Sequence, residues 1–427
     1  MWSSLLLLGA VVLAQAGADV PGGDLAARVE RLVRQLDAPQ LAQRNAAEQE
    51  LIKLGPDILR LLPQTGKASP PEAELRLTRI RLKLQQAKAE ASLRPSRVTL
   101  RGEAMPLSKI LAAIQEQTGN KIVDARPRVT RQVPDPKLKV DFDKVPFWLA
   151  LDQILDQAGL TVYPFGDEHA ARIVPASAGE ASRSGRASCA GPFRFEVTSV
   201  LAQRDLRHAA NRVLRLELEV AWEPRLRPIA FQQRLADVKA IDDRGQAMEV
   251  RSAQADLEVP VEPGPIAKVL SIPLALPPRE VRKIARLQGT LDALVPGSPE
   301  SFRFQDLAKA KNVEKRIGGA TVLLEQVRKA GKGWEVQILV RFDRTQGALQ
   351  SHRNWVLRNP AFLEGRDGKR IAPGPYPETT RRDASEVGIR CVFAVEGPLE
   401  DFAFVYETPT AIFALPVRYE IKEIPLP

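Results

Sequence analysis

The stretch from Val98 to Val174 constrains the fold of this chain more than any other, because one order of elements occurs in it twice. Each copy has a short β-forming run, a proline at the start of a helix, an amphipathic helix, a glycine and another β run. The first helix has an apolar stripe of Leu107, Ile110, Leu111 and Ile114. The second has a stripe of Leu149, Ile154 and Leu155. These patterns predict a small α+β unit in which two helices pack on short strands.

Two segments carry this pattern, "VTLRGEAMPLSKILAAIQEQTGNKIV" and "LKVDFDKVPFWLALDQILDQAGLTVYPFG". Together they resemble the short amino-terminal module of bacterial secretins and of TonB-dependent signal-transducing receptors. That module is a docking domain of the cell envelope without chemistry of its own. The resemblance implies residence in the envelope and contact with other envelope proteins. No secretin pore domain or barrel sequence follows the module, so the resemblance does not extend to pore formation or transport.

An insert from Asp124 to Lys137 separates the two halves of this unit and is longer than a usual connection. It carries three arginines, Arg126, Arg128 and Arg131, which we predict to be the partner-binding residues. Long loops on a rigid scaffold often hold function, and cations beside a sheet edge would suit an acidic or extended peptide. The alternative is a loop that is merely exposed.

The amino terminus predicts an export signal in residues 1–18. Leu5 to Ala14 is a nearly continuous apolar run, followed by small residues that suit cleavage near Ala16 or Ala18. The run is shorter than the roughly twenty apolar residues of a membrane span. We therefore expect a periplasmic, secreted or cell-surface protein without a transmembrane segment in its mature chain. No lysine or arginine precedes the run, which leaves a buried first helix as the alternative.

Residues 24–95 are predicted to be helical. Within them "LAQRNAAEQELIKLGPDILRLLP" resembles a single HEAT-like helical hairpin. A further helix is expected from Pro71 to Leu93, with one apolar face of Leu77, Ile80 and Leu84. Another face carries Arg76, Arg79 and Lys83, which indicates either a solvated surface or an anionic partner.

The rest of the chain predicts β structure. After the α+β module at 96–176, small polar residues at 177–190 are typical of a linker. Period-two strands and turns at Gly245 and Gly368 then predict two antiparallel β-sandwiches, at 191–308 and 318–427. The order of elements repeats after about 120 residues, through either duplication or chance. The expected fold class is multi-domain α+β, with a helical region, a small α+β module and two carboxy-terminal sandwiches.

Composition argues against nucleic-acid binding. The net charge is +10, but the cations are scattered among acidic residues, and aromatic residues make up only 5% of the chain. Cys189 and Cys391 are too few for a tetrahedral metal site and are expected to be separate buried thiols rather than a disulfide. The three histidines, His169, His208 and His352, are isolated in sequence.

No nucleophile-elbow, metalloprotease, P-loop or dinucleotide-binding motif occurs in the sequence. Asp141 and Asp143 share one strand face but fit a solvated alternation better than an acid–base pair. We therefore expect no catalytic residue, metal or cofactor, and an exported, non-enzymatic interaction or scaffold protein. The alternatives are a hydrolase with a site dispersed in sequence and a carbohydrate-binding protein that uses a platform of Trp148, Trp222, Trp334 and Trp355.

Overall fold

The computed structural model describes residues 22–63, 70–126, 134–176, 185, 187–208, 212–343, 354–374, 377–383, 385–395 and 397–427. It is an α+β protein with amino-terminal helices and carboxy-terminal antiparallel sheets, including a curled half-barrel sheet. Its chain contacts divide into two compact units, residues 1–84 and 85–427. The predicted export signal, His352 and most of the predicted linker lie outside the described residues.

The first unit is helical. It contains α1 (Gly22–Gln35), α2 (Leu41–Lys53), a short 3-10 helix (Pro56–Leu61) and most of α3 (Pro71–Ser92). Leu77, Ile80 and Leu84 of α3 are buried, as their spacing predicts, together with Leu36 and Leu51 of the preceding elements. Apolar spacing thus located the core of this unit correctly, because one helix face must be covered when the helices pack.

The basic face of α3 is a solvated surface only in part. Arg76 is buried, and its guanidinium donates to Glu48 and Glu72, both at 2.8 Å. Arg79 also contacts Glu48, at 3.3 Å. Arg76 therefore holds α2 and α3 together and is not available to an anionic partner.

The α+β segment, residues 97–175, follows the predicted order and ends with one further strand that the sequence did not predict. Its elements are β1 (Arg97–Pro106), α4 (Leu107–Thr118), β2 (Ile122–Asp124), β3 (Lys137–Pro146), α5 (Phe147–Ala158), β4 (Leu160–Tyr163) and β5 (Ala171–Pro175). Strands β1 and β3 form an antiparallel two-stranded sheet, and β2, β5 and β4 form a three-stranded sheet in that order. Each helix begins after a proline and ends at a glycine in the left-handed conformation, Gly119 and Gly159.

The apolar stripe of α5 differs from the predicted one. Ile154 and Leu155 are buried, but Leu149 is 44% exposed. Trp148 and Leu151 lie in the core instead. The sequence around Leu149 is apolar at several consecutive positions, so spacing alone could not decide which of them face inward. The burial of the Trp148 indole decided which of these residues face inward.

The first β region is built from nine strands that follow this segment. They are β6 (Ser188–Ala190), β7 (Phe193–Arg204), β8 (Arg212–Trp222), β9 (Ala230–Arg234), β10 (Lys239–Asp242), β11 (Ala247–Met248), β12 (Asp256–Pro260), β13 (Ala267–Ala275) and β14 (Lys283–Pro296). One sheet has the order β13-β8-β7-β6 and another the order β11-β10-β14-β9-β12. The predicted turn at Gly245 connects β10 to β11, and β6 occupies residues that the sequence assigned to the linker.

The second β region also has two sheets. Its elements are β15 (Pro299–Phe304), β16 (Val313–Ile317), β17 (Ala320–Ala330), β18 (Gly333–Phe342), α6 (Asn354–Leu357), β19 (Ala361–Gly365), β20 (Arg370–Ile371), β21 (Glu378–Arg382), β22 (Glu386–Phe393) and β23 (Phe402–Pro409). The strand orders are β15-β23-β19-β20 and β16-β17-β18-β22-β21. The predicted hairpin at Gly368 joins β19 to β20.

Two strands pair outside the sequence-based boundaries. β15 falls in the range predicted for the first sandwich, but it pairs with β23 and places Phe302 and Phe304 in the second core. The last strand, β24 (Ile412–Pro425), falls in the range predicted for the second sandwich. It pairs along its whole length with β14 and contributes Tyr419 to the first core. The last strand of the first predicted sandwich therefore belongs to the second β region, and the last strand of the second predicted sandwich belongs to the first β region.

The α+β segment and the first β region share one hydrophobic core. Phe147, Leu155 and Ile173 of the segment belong to the same cluster as Phe193 and Trp222 of the β region. No described helix is long and apolar enough to cross a membrane.

Candidate interaction site

The two-stranded sheet of the α+β segment has a charged outer face. Arg101 of β1 contacts Asp141 of β3 at 3.2 Å, and Lys139 contacts Glu103 at 3.0 Å. All four side chains are exposed, while Val98, Val140 and Phe142 alternate with them on the buried face. Asp141 and Asp143 are thus part of a solvated strand face, and Asp141 has a cationic neighbour rather than a second carboxylate as its partner.

The edges of this sheet are open within the described part of the chain, since neither β1 nor β3 has another strand beside it there. At one position of β1, Thr99, a side chain already occupies the outward backbone groups. The Gln117 amide donates to the Thr99 carbonyl at 3.0 Å and accepts from the Thr99 backbone N–H at 2.9 Å. Gln117 thereby imitates a strand partner at Thr99. Because backbone groups alternate in direction along a strand, the N–H and C=O of Arg101 lie on the same outer side, where a partner strand could pair.

Arg126 is a structural residue of the insert, which corrects its assignment as an exposed partner-binding cation. It is only 5% exposed. Its guanidinium donates to Asp124 Oδ1 at 2.8 Å and Oδ2 at 2.6 Å, and to the carbonyl of Pro134 at 2.8 Å. The two bonds from Arg126 to Asp124 lower the pKa of the Asp124 carboxyl. Arg126 joins the two ends of the insert, whereas Arg128 and Arg131 lie outside the described residues.

A second fixed point of the insert lies at Asp135. Its carboxylate accepts from the Ser108 backbone N–H at 2.9 Å and from the Ser108 hydroxyl at 2.7 Å. Both bonds lower the pKa of Asp135. Since Ser108 lies in the first turn of α4, this carboxylate satisfies an otherwise unpaired amide of the helix amino terminus. The described ends of the insert are therefore held in place on both sides.

An exposed aromatic pair lies at the edge of the three-stranded sheet. Tyr163 is 47% and Phe165 41% exposed, and their ring centroids are 6.1 Å apart. Arg172 is the cross-strand partner of Tyr163 and lies over its ring at 5.9 Å. Sequence reasoning did not single out these residues, because an exposed and a buried aromatic residue look the same in a short apolar run.

The four tryptophans do not form an exposed platform. Trp148 and Trp222 are buried, and the Trp148 indole donates to the Pro192 carbonyl at 3.0 Å. Trp334 and Trp355 are half-buried against the second core. The glycan-stacking surface that the alternative hypothesis requires is therefore not built from these residues.

A buried polar network joins the α+β segment to the first β region. Glu223, which follows β8, accepts hydrogen bonds from the Ser96 backbone N–H at 2.9 Å, the Asn120 amide at 3.1 Å and the Arg225 guanidinium at 2.6 Å. Arg225 also donates to the Ser92 carbonyl at 3.1 Å. Glu223 and Asn120 are fully buried. Because the bonds from Ser96 and Asn120 to Glu223, and from Arg225 to Ser92, connect the two sides, the network keeps them in one orientation.

A second buried cluster lies where α5 packs on the sheet of the first β region. Arg194 contacts Asp152 at 3.4 Å, Glu196, and Glu219 at 4.0 Å. Burial raises the pKa of Glu219; Arg194 opposes this shift and Glu196 adds to it. Burial also raises the pKa of the nearby Cys189 thiol to about 11, so that thiol is not an activated nucleophile. Three carboxyl groups therefore share one guanidinium in this interior.

The histidines that the structure describes stay apart. His169 is half-buried, and its Nε2 lies 2.8 Å from the Leu226 carbonyl, where burial lowers its pKa. His208 is exposed on a turn beside Asp205. Among the described residues, no group of three or more His, Cys, Asp or Glu side chains has the arrangement of a metal site. Cys189 and Cys391 are both free thiols.

No protein-family model matches this chain, and no curated protein is similar to it at a significant level. The resemblance of residues 98–174 to the secretin and receptor module therefore stays a prediction from the sequence pattern.

Proposed function

We propose that this chain is an exported, non-enzymatic envelope protein that binds another envelope protein through the α+β segment. In this proposal the two β regions are sandwich-type scaffolds, and the helical unit is a HEAT-like accessory. The observation that carries the proposal is the open edge of the β1–β3 sheet, which offers backbone donors and acceptors to an extended peptide. The resemblance of the segment to a docking module of the envelope supports the same conclusion.

The rigid attachment of the α+β segment is consistent with this role. The Glu223 network and the shared apolar core hold the segment on the first β region, so that the open edge is presented in a fixed orientation. A preorganised edge loses less conformational entropy when a partner strand is added.

The test uses the full mature chain as bait in an envelope fraction, with two variants at one position. Arg101→Pro removes the outward N–H of β1, while Arg101→Ala removes the side chain and its ion pair with Asp141 but keeps the N–H. We expect the proline variant to lose the captured partner and the alanine variant to retain it, with similar thermal melts. Equal capture by both variants and the wild type would contradict docking at this edge.

Export is tested separately by amino-terminal sequencing of the mature protein. We expect a chain that begins after Ala16 or Ala18. If the protein is found in the cytoplasm with Met1 intact, it is not exported, and its proposed place in the envelope is wrong.

A further inference from the structure

The tip of the β7–β8 hairpin combines exposed leucines with a group of arginines. We define this hairpin tip as residues 201–208 and 212–215, with Arg251 beside them. Leu206 is 92% exposed, the highest value among the large exposed apolar side chains of the described residues, and Leu201 is 49% exposed. An aliphatic side chain in this position contributes nothing to a core and raises the question of what covers it.

The turn holds Leu206 outward. Asp205 Oδ1 accepts hydrogen bonds from the backbone N–H groups of Arg207, at 2.8 Å, and of His208, at 3.0 Å. These bonds fold the chain around Asp205 and leave Leu206 at the end of the hairpin. Asp205 is thereby engaged in the turn itself.

The cations of the hairpin tip lie on both of its strands. Arg204 and Arg212 are direct cross-strand partners, and Leu201 is the partner of Arg215. Arg207 follows Leu206 directly, and Arg251 donates to the Arg212 carbonyl at 3.3 Å. Like charges directly opposite each other destabilise an antiparallel pair, so the Arg204–Arg212 pair does not help to hold the hairpin together.

Few acidic groups compensate these charges. Asp205 lies in the turn, and Glu249 adjoins the bridge between Val250 and Leu274. Within the part of the chain that the structure describes, Arg204, Arg207, Arg212 and Arg215 form no ion pair and are exposed. The hairpin tip therefore has an excess of positive charge around a protruding apolar group.

We propose that the hairpin tip binds the surface of an anionic lipid bilayer. Guanidinium groups recognise lipid phosphates by bidentate hydrogen bonds, and Leu206 enters the boundary between headgroups and acyl chains. The layered order of phosphates and hydrocarbon in a membrane surface matches an apolar end flanked by cations. A nucleic acid could pair with the cations but would leave the aliphatic end without a partner, and the described residues of the tip include no Phe, Tyr or Trp on which bases could stack.

The expected strength is that of a peripheral, reversible contact. A basic residue near an anionic surface contributes about a fivefold gain in partitioning, and a buried leucine contributes roughly tenfold. Removing three of the arginines should therefore reduce binding about a hundredfold. Because exposed charges are screened by salt, binding should also fall steeply between low and high ionic strength.

The test is co-sedimentation of the full mature chain with vesicles of phosphatidylglycerol and phosphatidylcholine, against vesicles of phosphatidylcholine alone. We expect binding to the anionic vesicles only. The triple variant Arg204→Gln, Arg207→Gln, Arg212→Gln should lose it about a hundredfold, and Leu206→Ser about tenfold. The matched control is Lys309→Gln, Lys311→Gln, Lys369→Gln, which removes three exposed charges from the second β region and should bind as the wild type.

Two outcomes overturn the proposal. Loss of binding in the control triple equal to that in the arginine triple would show that net charge alone is responsible. Unchanged binding by Leu206→Ser, together with equal binding of the wild type to soluble polyglutamate, would indicate an acidic protein surface instead of a bilayer. No variant should melt below the wild type, because every substituted side chain is exposed and the arginine triple also removes the repulsion between Arg204 and Arg212.

Discussion

The Asn120 side-chain amide donates a hydrogen bond to the Glu223 carboxylate at 3.1 Å, and both residues are fully buried. Asn120 follows α4 in the α+β segment, and Glu223 follows β8 in the first β region. Two of the three donors to this carboxylate, the Ser96 N–H and the Asn120 amide, come from the other side, so its burial is fully compensated only while the two regions stay together.

Replacing Glu223 by alanine should destabilise the protein by about 3–5 kcal/mol, because it leaves Asn120, Arg225 and the Ser96 N–H without their acceptor in a buried site. Urea unfolding measures this loss. Glu103→Ala removes an exposed carboxylate that is paired with Lys139 and should cost no more than about 1 kcal/mol. Equal effects of the two substitutions would show that the network does not hold the regions together.

Arg126→Ala should lower the free energy of unfolding by about 2–3 kcal/mol, since it removes charge-assisted hydrogen bonds to Asp124 and Pro134 from a buried position. Arg101→Ala, at an exposed ion pair of similar type, should change stability by less than about 1 kcal/mol. If Arg126→Ala melted like Arg101→Ala, Arg126 would be a surface residue, as the sequence alone suggested.

The raised pKa of Glu219 predicts a dependence of stability on pH. The folded state holds the proton of this carboxyl more tightly than the unfolded chain does. Its stabilising contribution is therefore complete below the unfolded pKa and is lost as pH rises through the higher folded pKa. Glu219→Gln keeps a neutral side chain at all pH values, so its stability relative to the wild type should increase from acid to neutral pH.

Urea unfolding of Glu219→Gln and the wild type between pH 4 and 8 measures this difference, with Glu103→Gln as the control for loss of a surface carboxylate. If the difference in the free energy of unfolding between Glu219→Gln and the wild type stays constant across this range, the folded structure does not shift the pKa of Glu219.

Tyr406 and Tyr419 are close in sequence but belong to different cores, which gives a paired prediction. Tyr419 stacks on Phe195 with ring centroids 4.7 Å apart, and its hydroxyl bonds Gln233 at 3.1 Å. Tyr419→Ala should reduce hydrogen-exchange protection in β7 and β14. Tyr406→Ala should reduce it in β18 and β22 instead. Each should cost about 3–5 kcal/mol, as for other large aromatic truncations.

If Tyr419→Ala instead reduced protection in the second β region, the last strand would belong to that region, as the sequence-based boundary predicts.

Local features of the fold were predictable because their causes are local. Gly119 and Gly159 end their helices in a conformation that glycine adopts at little cost, and Gly245 and Gly368 make the predicted hairpin turns. The buried stripe of α4 followed from its spacing. The stripe of α5 did not, because Leu149 and Trp148 are adjacent apolar residues and only packing could select between them.

The sequence predicted part of the candidate site's structure. It predicted the helices and most strands of the α+β segment, and the alternation around Asp141 and Asp143 predicted the solvated face of β3. Arg126 reads as a loop cation, however, until Asp124 and Pro134 are seen to surround it. Tyr163 and Phe165 gave no signal, since exposure of an aromatic residue is a property of its neighbours in space.

By itself, the sequence determined that the chain is an α+β protein with helices first and β-sheets last, and where helices α4 and α5 and the turns at Gly245 and Gly368 lie. Only the tertiary structure decided that β15 pairs with β23 and β24 with β14, and that Glu223 meets Asn120. The physical reason is that a period-two strand specifies which side chains face a core but not which strand lies beside it. That choice depends on the packing of side chains from distant parts of the chain.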